Sequence, residues 1–393
     1  MRLCRHPDLV CQWTPEGFEV RNLSSGARLR GPADVVRILD AFGSARSAPE
    51  AAGLLPEEDR AELLQGIALL RRHGFLISEA AAARARSRAA AWKGNLAAAQ
   101  YHAACRDTPY LREPAEIERY VRENVLSSPK PTRFKHYAAA TGRRLPRAVP
   151  TGEAAALAGV LRGRRTVREF RRQPVPLAAF AHLLRATFGV TGTMETDLLG
   201  QVALKTSPSA GALHPVEAYV IAWNVEGLAS GVYQYDAQRD ELRRLRRGDF
   251  RRAAVEAASG QDWIRRAAFL CVMTAVFPRV LWKYQLEDAY RTLFLDAGHL
   301  AQTFCLVATS LGLGPFTTAA IQDSKIEKLL RIDGIDEFPV YLCGAGLPGV
   351  TAPDPYTGRR SSSSVFGRTS SGGGSKETTW RRRNPRKAPA PRS

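Results

Sequence analysis

Lys205–Thr206–Ser207–Pro208–Ser209–Ala210–Gly211–Ala212–Leu213–His214–Pro215, followed at once by Val216–Glu217–Ala218–Tyr219–Val220–Ile221, is the stretch around which the chain is organised. From Pro208 to Ala212 every side chain is small or a proline, so nothing bulky stands between this backbone and whatever lies on it. Proline fixes φ at Pro208, and Gly211 permits a backbone conformation that other residues avoid. The β-rich run that follows makes the segment a rigid loop feeding a buried strand. Such a loop suits a flat ligand, and it equally suits a tight turn that needs small residues.

Upstream, Arg164–Arg165–Thr166–Val167–Arg168 puts three arginines and a hydroxyl within five residues. Guanidinium forks match phosphate oxygens two at a time, so the run is either an anion clamp or a solvated face. Together the two stretches resemble the flavin-dependent nitroreductase family. The wording S-P-S-A-G-A-L-H-P, then N-V-E-G-L-A-S-G-V-Y-Q-Y-D, then L-D-A-G-H-L-A-Q is similar to one branch, the SagB-type peptide-maturation dehydrogenases, which oxidise azolines on ribosomally made peptides. The resemblance covers about residues 150 to 350.

The resemblance implies an α+β fold, a nitroreductase-like FMN-binding sandwich of helices around a central sheet, carrying an N-terminal winged-helix-like module. It implies FMN held at its phosphate by Arg164, Arg165, Thr166 and Arg168. The ring would be cradled by Ser207, Pro208, Ser209, Ala210 and Gly211, and its N5 edge met by backbone amides of Thr318, Ala319 and Ala320. It further implies a Lys-Tyr pair as proton acceptor, matched here by Lys283 and Tyr284. An asparagine and a glutamine common in the wider family's loop are Ala212 and His214 here. The gap from Lys283–Tyr284 to Tyr290–Arg291 runs one residue longer than in the branch, without the arginine common inside it. His214 and His299 more often order backbone or fill a core than catalyse.

The implied function is an FMN-dependent dehydrogenase acting on a peptide substrate beside a cyclodehydratase, as a homodimer with sites shared between chains. The alternatives are an NAD(P)H-dependent nitro or quinone reductase, a reductase of dehydroamino acids, and a non-catalytic peptide-binding partner.

Composition sets the frame. A chain of 393 residues with 45% apolar content has ample core for more than one domain. Six scattered cysteines, with no C-x-x-C pair, argue against a disulfide framework and against zinc, and fit the cytoplasm. The N-terminus carries charges where a signal peptide has its apolar run. Ala297 to Gln322 holds no Asp, Glu, Lys or Arg, yet its glycines, Pro315 and polar residues predict a core helix rather than a membrane span. The net charge of +19 is concentrated: from Arg359 on, ten Lys and Arg face one acid, Glu377. A nucleic-acid partner is therefore not the favoured explanation.

Four regions are expected. Residues 1–85 form the winged-helix-like module, with a hairpin around Ser24–Ser25–Gly26, a helix through Val35–Leu39, another from Ala61 to Leu70 ending at His73–Gly74, and a strand at Phe75–Ile77. It props the catalytic domain, grips a peptide or binds DNA, the first being favoured. Residues 86–149 are a helical connector and Pro-rich basic linker, 150–350 the catalytic domain, and 351–393 a disordered basic tail. Within 150–350, helices are predicted at Glu153–Leu161, Leu177–Phe188 and Tyr290–Leu311. Strands are predicted at Gly231–Asp236, Leu242–Leu245, Phe269–Val276 and Phe338–Cys343.

Overall fold

A computed structural model describes residues 1–349 apart from 16, 26, 32–33, 56–58, 93–94, 128, 130–148, 198–199 and 285–287. The expected linker, for most of its length, and the expected basic tail lie outside the described residues.

The chain opens with β1 (Leu3–Arg5), β2 (Leu9–Thr14), β3 (Gly17–Asn22) and β4 (Arg28–Gly31), of which the last three form an antiparallel sheet in sequence order. Then come α1 (Asp34–Ala41), α2 (Ala48–Ala52), α3 (Arg60–Arg72) and β5 (Leu76–Ser78). Asp59 caps α3 by accepting from the amides of Ala61 and Glu62, and His73 ends it, with Gly74 at φ +76° making the exit turn. The closing strand pairs with β1, Cys4 opposite Ile77, and not with the hairpin. Phe18, Val20, Leu39, Phe42, Ile67 and Phe75 lie at the centre of a separate core here.

The connector is two helices, α4 (Glu79–Ala91) and α5 (Leu96–Cys105), followed by α6 (Pro114–Tyr120), which runs into a five-residue π-turn. Trp92, between α4 and α5, is buried in the catalytic core and donates its indole N–H to the Ile335 carbonyl at 3.2 Å. The catalytic part then contributes α7 (Gly152–Gly163), α8 (Leu177–Phe188), the exposed hairpin β6 (Val190–Thr196) and β7 (Gly200–Lys205), β8 (Val216–Ala222), β9 (Gly231–Asp236) and β10 (Glu241–Arg247). After these come α9 (Arg251–Ala257), β11 (Phe269–Val276), α10 (Phe277–Lys283), α11 (Ala289–Ser310), β12 (Gly314–Thr318), α12 (Asp323–Leu330) and β13 (Glu337–Gly346).

Six strands make one antiparallel sheet in the order β10-β9-β8-β11-β13-β12. Its centre is buried on both faces, and the strand period of two sorts its side chains between two cores. Phe269, Cys271, Met273 and Ala275 of β11 face the core that includes α8 and α11, whereas Leu270 and Val272 face the core that includes α9 and α12. A sheet with helices packed over both faces is an α+β sandwich. The apolar stretch beginning at Ala297 is core helix up to Ser310 and then turns through Gly312, φ +71°, into β12. Among the described residues no helix is long and apolar enough to cross a membrane.

Candidate active site

The loop between β7 and β8 is bent hard. Gly211, Ala212 and His214 have φ of +62°, +55° and +44°, three left-handed residues within four positions. L-residues avoid that region, so surrounding bonds must hold them there. Helix α11 supplies the holding groups. Asp296 Oδ2 accepts from Ser209 Oγ at 2.5 Å and Asp296 Oδ1 from the Ala210 amide at 3.4 Å. His299 donates from Nδ1 to the Pro208 carbonyl at 3.2 Å, and the hydroxyls of Thr303 and Ser207 meet at 2.7 Å. Asp296, His299 and Thr303 are three and four residues apart, which places all three on one helix face. Ser209 Oγ in turn accepts from the His214 amide at 2.9 Å, and His214 donates from Nε2 to the Ala203 carbonyl at 2.9 Å. Both histidines order backbone. Burial, the largest cause, lowers the pKa of His214, with the charges of Lys205 and Arg279 acting the same way. Lys205, behind the loop, is likewise lowered by burial.

The Lys-Tyr pair comes from α10. Pro278 starts this helix, and Phe277, Val280 and Leu281 form its buried stripe. Tyr284 follows on the same side, its amide donating to the Val280 carbonyl at 2.8 Å. Lys283 Nζ lies 5.4 Å from the Tyr284 ring centroid. Both side chains end at the backbone of Gly211: a Cβ built there would stand 2.7 Å from Tyr284 Oη and 2.8 Å from Lys283 Nζ. Any residue but glycine at 211 displaces the pair. Residues 285–287, part of the lengthened gap before Tyr290, lie outside the described residues.

The arginine-rich segment leaves α7 and crosses β12. Val167 donates its amide to the Pro315 carbonyl at 2.9 Å, and Gly314 gives it room, since a Cβ there would meet Val167 at 2.8 Å. Its arginines have divided tasks. Arg165 turns back and donates to the Arg162 and Arg164 carbonyls at 2.8 and 2.7 Å, closing the C-terminus of α7. Arg168 lies over the Trp263 ring, 5.6 Å from its centroid. Arg164 is near enough to Cys305 of α11 for its charge to oppose the rise that burial gives that thiol, which stands at about 11. Thr166 is exposed. Thus α11 borders both sites: Asp296, His299 and Thr303 bind the loop, while Cys305 and Thr309 lie beside the arginine segment.

At the third expected contact, Thr318 ends β12 opposite Leu342 of β13. Its Oγ1 accepts from Gln261 at 2.8 Å and from the Ala320 amide at 3.1 Å, so that amide is already engaged. The Ala319 carbonyl faces Tyr110 Oη at 3.5 Å.

A model of the nitroreductase family matches residues 161–347. The protein MJ1384 of Methanocaldococcus jannaschii, named as a nitroreductase, is 34% identical over 198 residues, covering 50% of this chain and 94% of that one. The chain belongs to the nitroreductase family. It is thus an oxidoreductase of a family that generally binds flavin. This nitroreductase-family chain is also similar to the trifolitoxin operon protein TfxC of Rhizobium leguminosarum bv. trifolii, 27% identical over 299 residues, 73% of this chain and 82% of TfxC. The microcin B17-processing protein McbC of Escherichia coli matches at 29% over 132 residues, 32% of this chain and 48% of McbC.

The wiring of the loop to Asp296, His299 and Thr303 is absent from the sequence reading, although L-D-A-G-H-L-A-Q is one of its motifs. The i, i+3, i+7 spacing of Asp296, His299 and Thr303, which puts them on one face of the helix, is the signal that marks them.

Proposed function

We propose that the protein is an FMN-dependent dehydrogenase in the maturation of a ribosomally made peptide, oxidising azolines to azoles. The observation that carries this is the convergence of Lys283 Nζ and Tyr284 Oη on the Gly211 backbone of the Pro-Ser loop. Its relatives include proteins named for trifolitoxin and for microcin B17 processing, which supports a peptide substrate.

The residues present fit FMN. Arg164, with Arg168 on the same segment over the Trp263 ring, brings guanidinium charge to a phosphate, and the run of small residues from Pro208 to Ala212 leaves a backbone surface for a flat ring. The hairpin-like strain of that surface is held from behind by Asp296, so binding a ring costs little further ordering. Bound there, FMN supplies a hydride acceptor.

Converting an azoline to an azole removes one hydride and one proton from adjacent ring atoms. Lys283 or Tyr284 takes the proton, and the α10 stripe holds both groups against the loop. Arg165 sets the end of α7 and hence the approach of Arg164. The N-terminal module props the domain through Trp92 and α5. A homodimer is supported by Leu157, Leu161, Phe294 and Leu295, large apolar residues exposed on α7 and α11. We place the enzyme in the cytoplasm, next to the cyclodehydratase that makes its azolines.

The test uses FMN-loaded protein and an azoline-containing peptide, with oxygen as final acceptor and the loss of two hydrogens per ring read by mass spectrometry. Lys283→Ala and Tyr284→Phe should retain FMN and lose on the order of 10²–10⁴ in rate. Near wild-type oxidation by both variants would remove the pair from the reaction. MJ1384, by its name, favours a second reading, a reductase of nitro compounds driven by NAD(P)H; NADH consumption with a nitroarene and no peptide would establish it.

A further inference from the structure

The β2–β3 hairpin has two unlike faces. Phe18, Val20 and Leu29 pack on the N-terminal core, with their exposed cross-strand partners Cys11 and Trp13 at the edge of the same face. On the other face the register places Val10 opposite Arg21 and Arg21 opposite Arg28, then Gln12 opposite Glu19 and Glu19 opposite Arg30. Glu19 is consumed: it accepts from Arg30 Nε at 3.0 Å and from Gln12 Nε2 at 3.3 Å, and these bonds, Arg30's first, lower its pKa. Arg21 and Arg28 stand side by side; Arg28 still feels the charge of Glu19, whereas Arg21 has no ion pair among the described residues, and like charges directly opposite each other repel.

Arg21 is more sharply defined. Its Nε is enclosed and finds no hydrogen-bond acceptor among the described residues. A buried donor left unpaired is costly, and a ligand oxygen recovers that cost. The guanidinium lines a groove of about 310 Å³ between this hairpin face and α5, with Val10, Gln12 and Leu23 on one side and Gln100 and Tyr101 on the other. The Tyr101 ring also packs edge-on against Tyr290 at the start of α11, 6.0 Å between centroids, so the groove adjoins the catalytic domain.

We infer that this groove holds an acidic side chain of the peptide substrate, its carboxylate on Arg21 and its apolar neighbours on Val10 and Leu23. The inference rests on the peptide reading above. A carboxylate offers the planar pair of acceptors that a guanidinium fork matches, and the Gln100 amide together with the Gln12 amide oxygen serves the peptide backbone. The apolar flanks set a peptide apart from a free inorganic anion, which has nothing to place there. The groove's size suits a short stretch of chain.

The experiment measures fluorescence anisotropy of full-length, FMN-loaded protein with a fluorescein-labelled, C-terminally amidated Ala-Leu-Glu-Leu-Ala peptide and its Gln counterpart. The acidic peptide should bind at least tenfold more tightly. Arg21→Gln should abolish that preference, whereas Arg119→Gln, an exposed arginine elsewhere, should leave it, which separates the groove from the general positive charge of the protein. Gln100→Glu, which adds a like charge to the wall, should weaken the acidic peptide about tenfold, and it serves as the second variant should Arg21→Gln not fold. Equal affinity for the two peptides, or a preference that survives a folded Arg21→Gln or Gln100→Glu, would overturn the inference. Binding is read without turnover: the acidic preference with no azoline oxidation would sink the proposed reaction alone, and oxidation without the preference would sink the groove alone.

Discussion

At the scale of single residues the site depends on one missing side chain. Gly211 is glycine for two reasons, its φ of +62° and the 2.7–2.8 Å approach of Tyr284 Oη and Lys283 Nζ to where a Cβ would be. Gly211→Ala carries a backbone cost of about 1–2 kcal/mol, while the contacted atoms are the far ends of flexible side chains and can move. The variant should therefore fold, with a melting temperature a few degrees lower, and keep FMN. Its azoline oxidation should fall at least tenfold because the pair is pushed off the loop. Full activity at an unchanged melting temperature would show that the pair is not held there in solution. The arginines make the complementary case. With Arg165 occupied by helix carbonyls, Arg164→Ala and Arg168→Ala together should strip the flavin and leave the far-ultraviolet circular dichroism unchanged; stoichiometric FMN in the purified double variant would place the phosphate elsewhere.

At the scale of elements, α5 is fastened to α11 by a buried histidine. His102 Nδ1 accepts from Tyr290 Oη at 3.0 Å, and Nε2 donates to the Gly334 carbonyl at 3.3 Å, which uses both ring nitrogens of the neutral form. Burial, aided by the charge of Arg106, pushes its pKa down to about 4 from 6.5. The folded state thus binds fewer protons than the unfolded one, and stability present above pH 6.5 is lost as pH falls towards 4, by about 3 kcal/mol. Asp323, which burial raises to about 6, acts in the opposite sense: its contribution is full below pH 3.8 and is lost as pH rises through 6. Because the two windows overlap, the histidine is isolated by comparison. Between pH 7 and pH 4, urea unfolding should show the wild type losing about 3 kcal/mol more than His102→Gln. Parallel pH profiles for the two proteins would mean that His102 is not buried neutral.

At the scale of the whole molecule, apolar surface remains uncovered on the helices that border the site. Phe294 is 41% and Leu295 54% exposed on α11, with Leu157 and Leu161 exposed on α7. Neighbouring large apolar residues on one side of a protein mark a surface that another chain covers. Light scattering on the flavin-loaded protein should give twice the 43.1 kDa chain mass, and Leu295→Glu should shift it towards one chain with loss of FMN. A monomer that retains bound flavin would count against sites shared between two chains.

Local sequence was enough for the elements whose side chains repeat with a clear period. β11 is apolar at every position but Thr274 because both its faces are buried, α8 runs from Leu177 to the residue before Gly189, and the proline and glycine of the loop at 208–211 announce its rigidity. It also carried the family, because Arg-rich segment, Pro-Ser loop and L-D-A-G-H helix occur in order. It left unread the exposed hairpin β6–β7, where Gly192 interrupts a strand pattern that has no buried face to enforce it. Contacts between distant positions were beyond it for a different reason. Ser209 and Asp296 are 87 residues apart, and Trp92 and Ile335 are 243 apart; local propensity carries no term for such pairs. Only packing decided that Arg165 would turn back on α7, that three polar residues of α11 would hold the loop in left-handed conformations, and that Lys283 and Tyr284 would end at Gly211. Each outcome follows from which buried polar groups find partners once the sheet has brought the helices together.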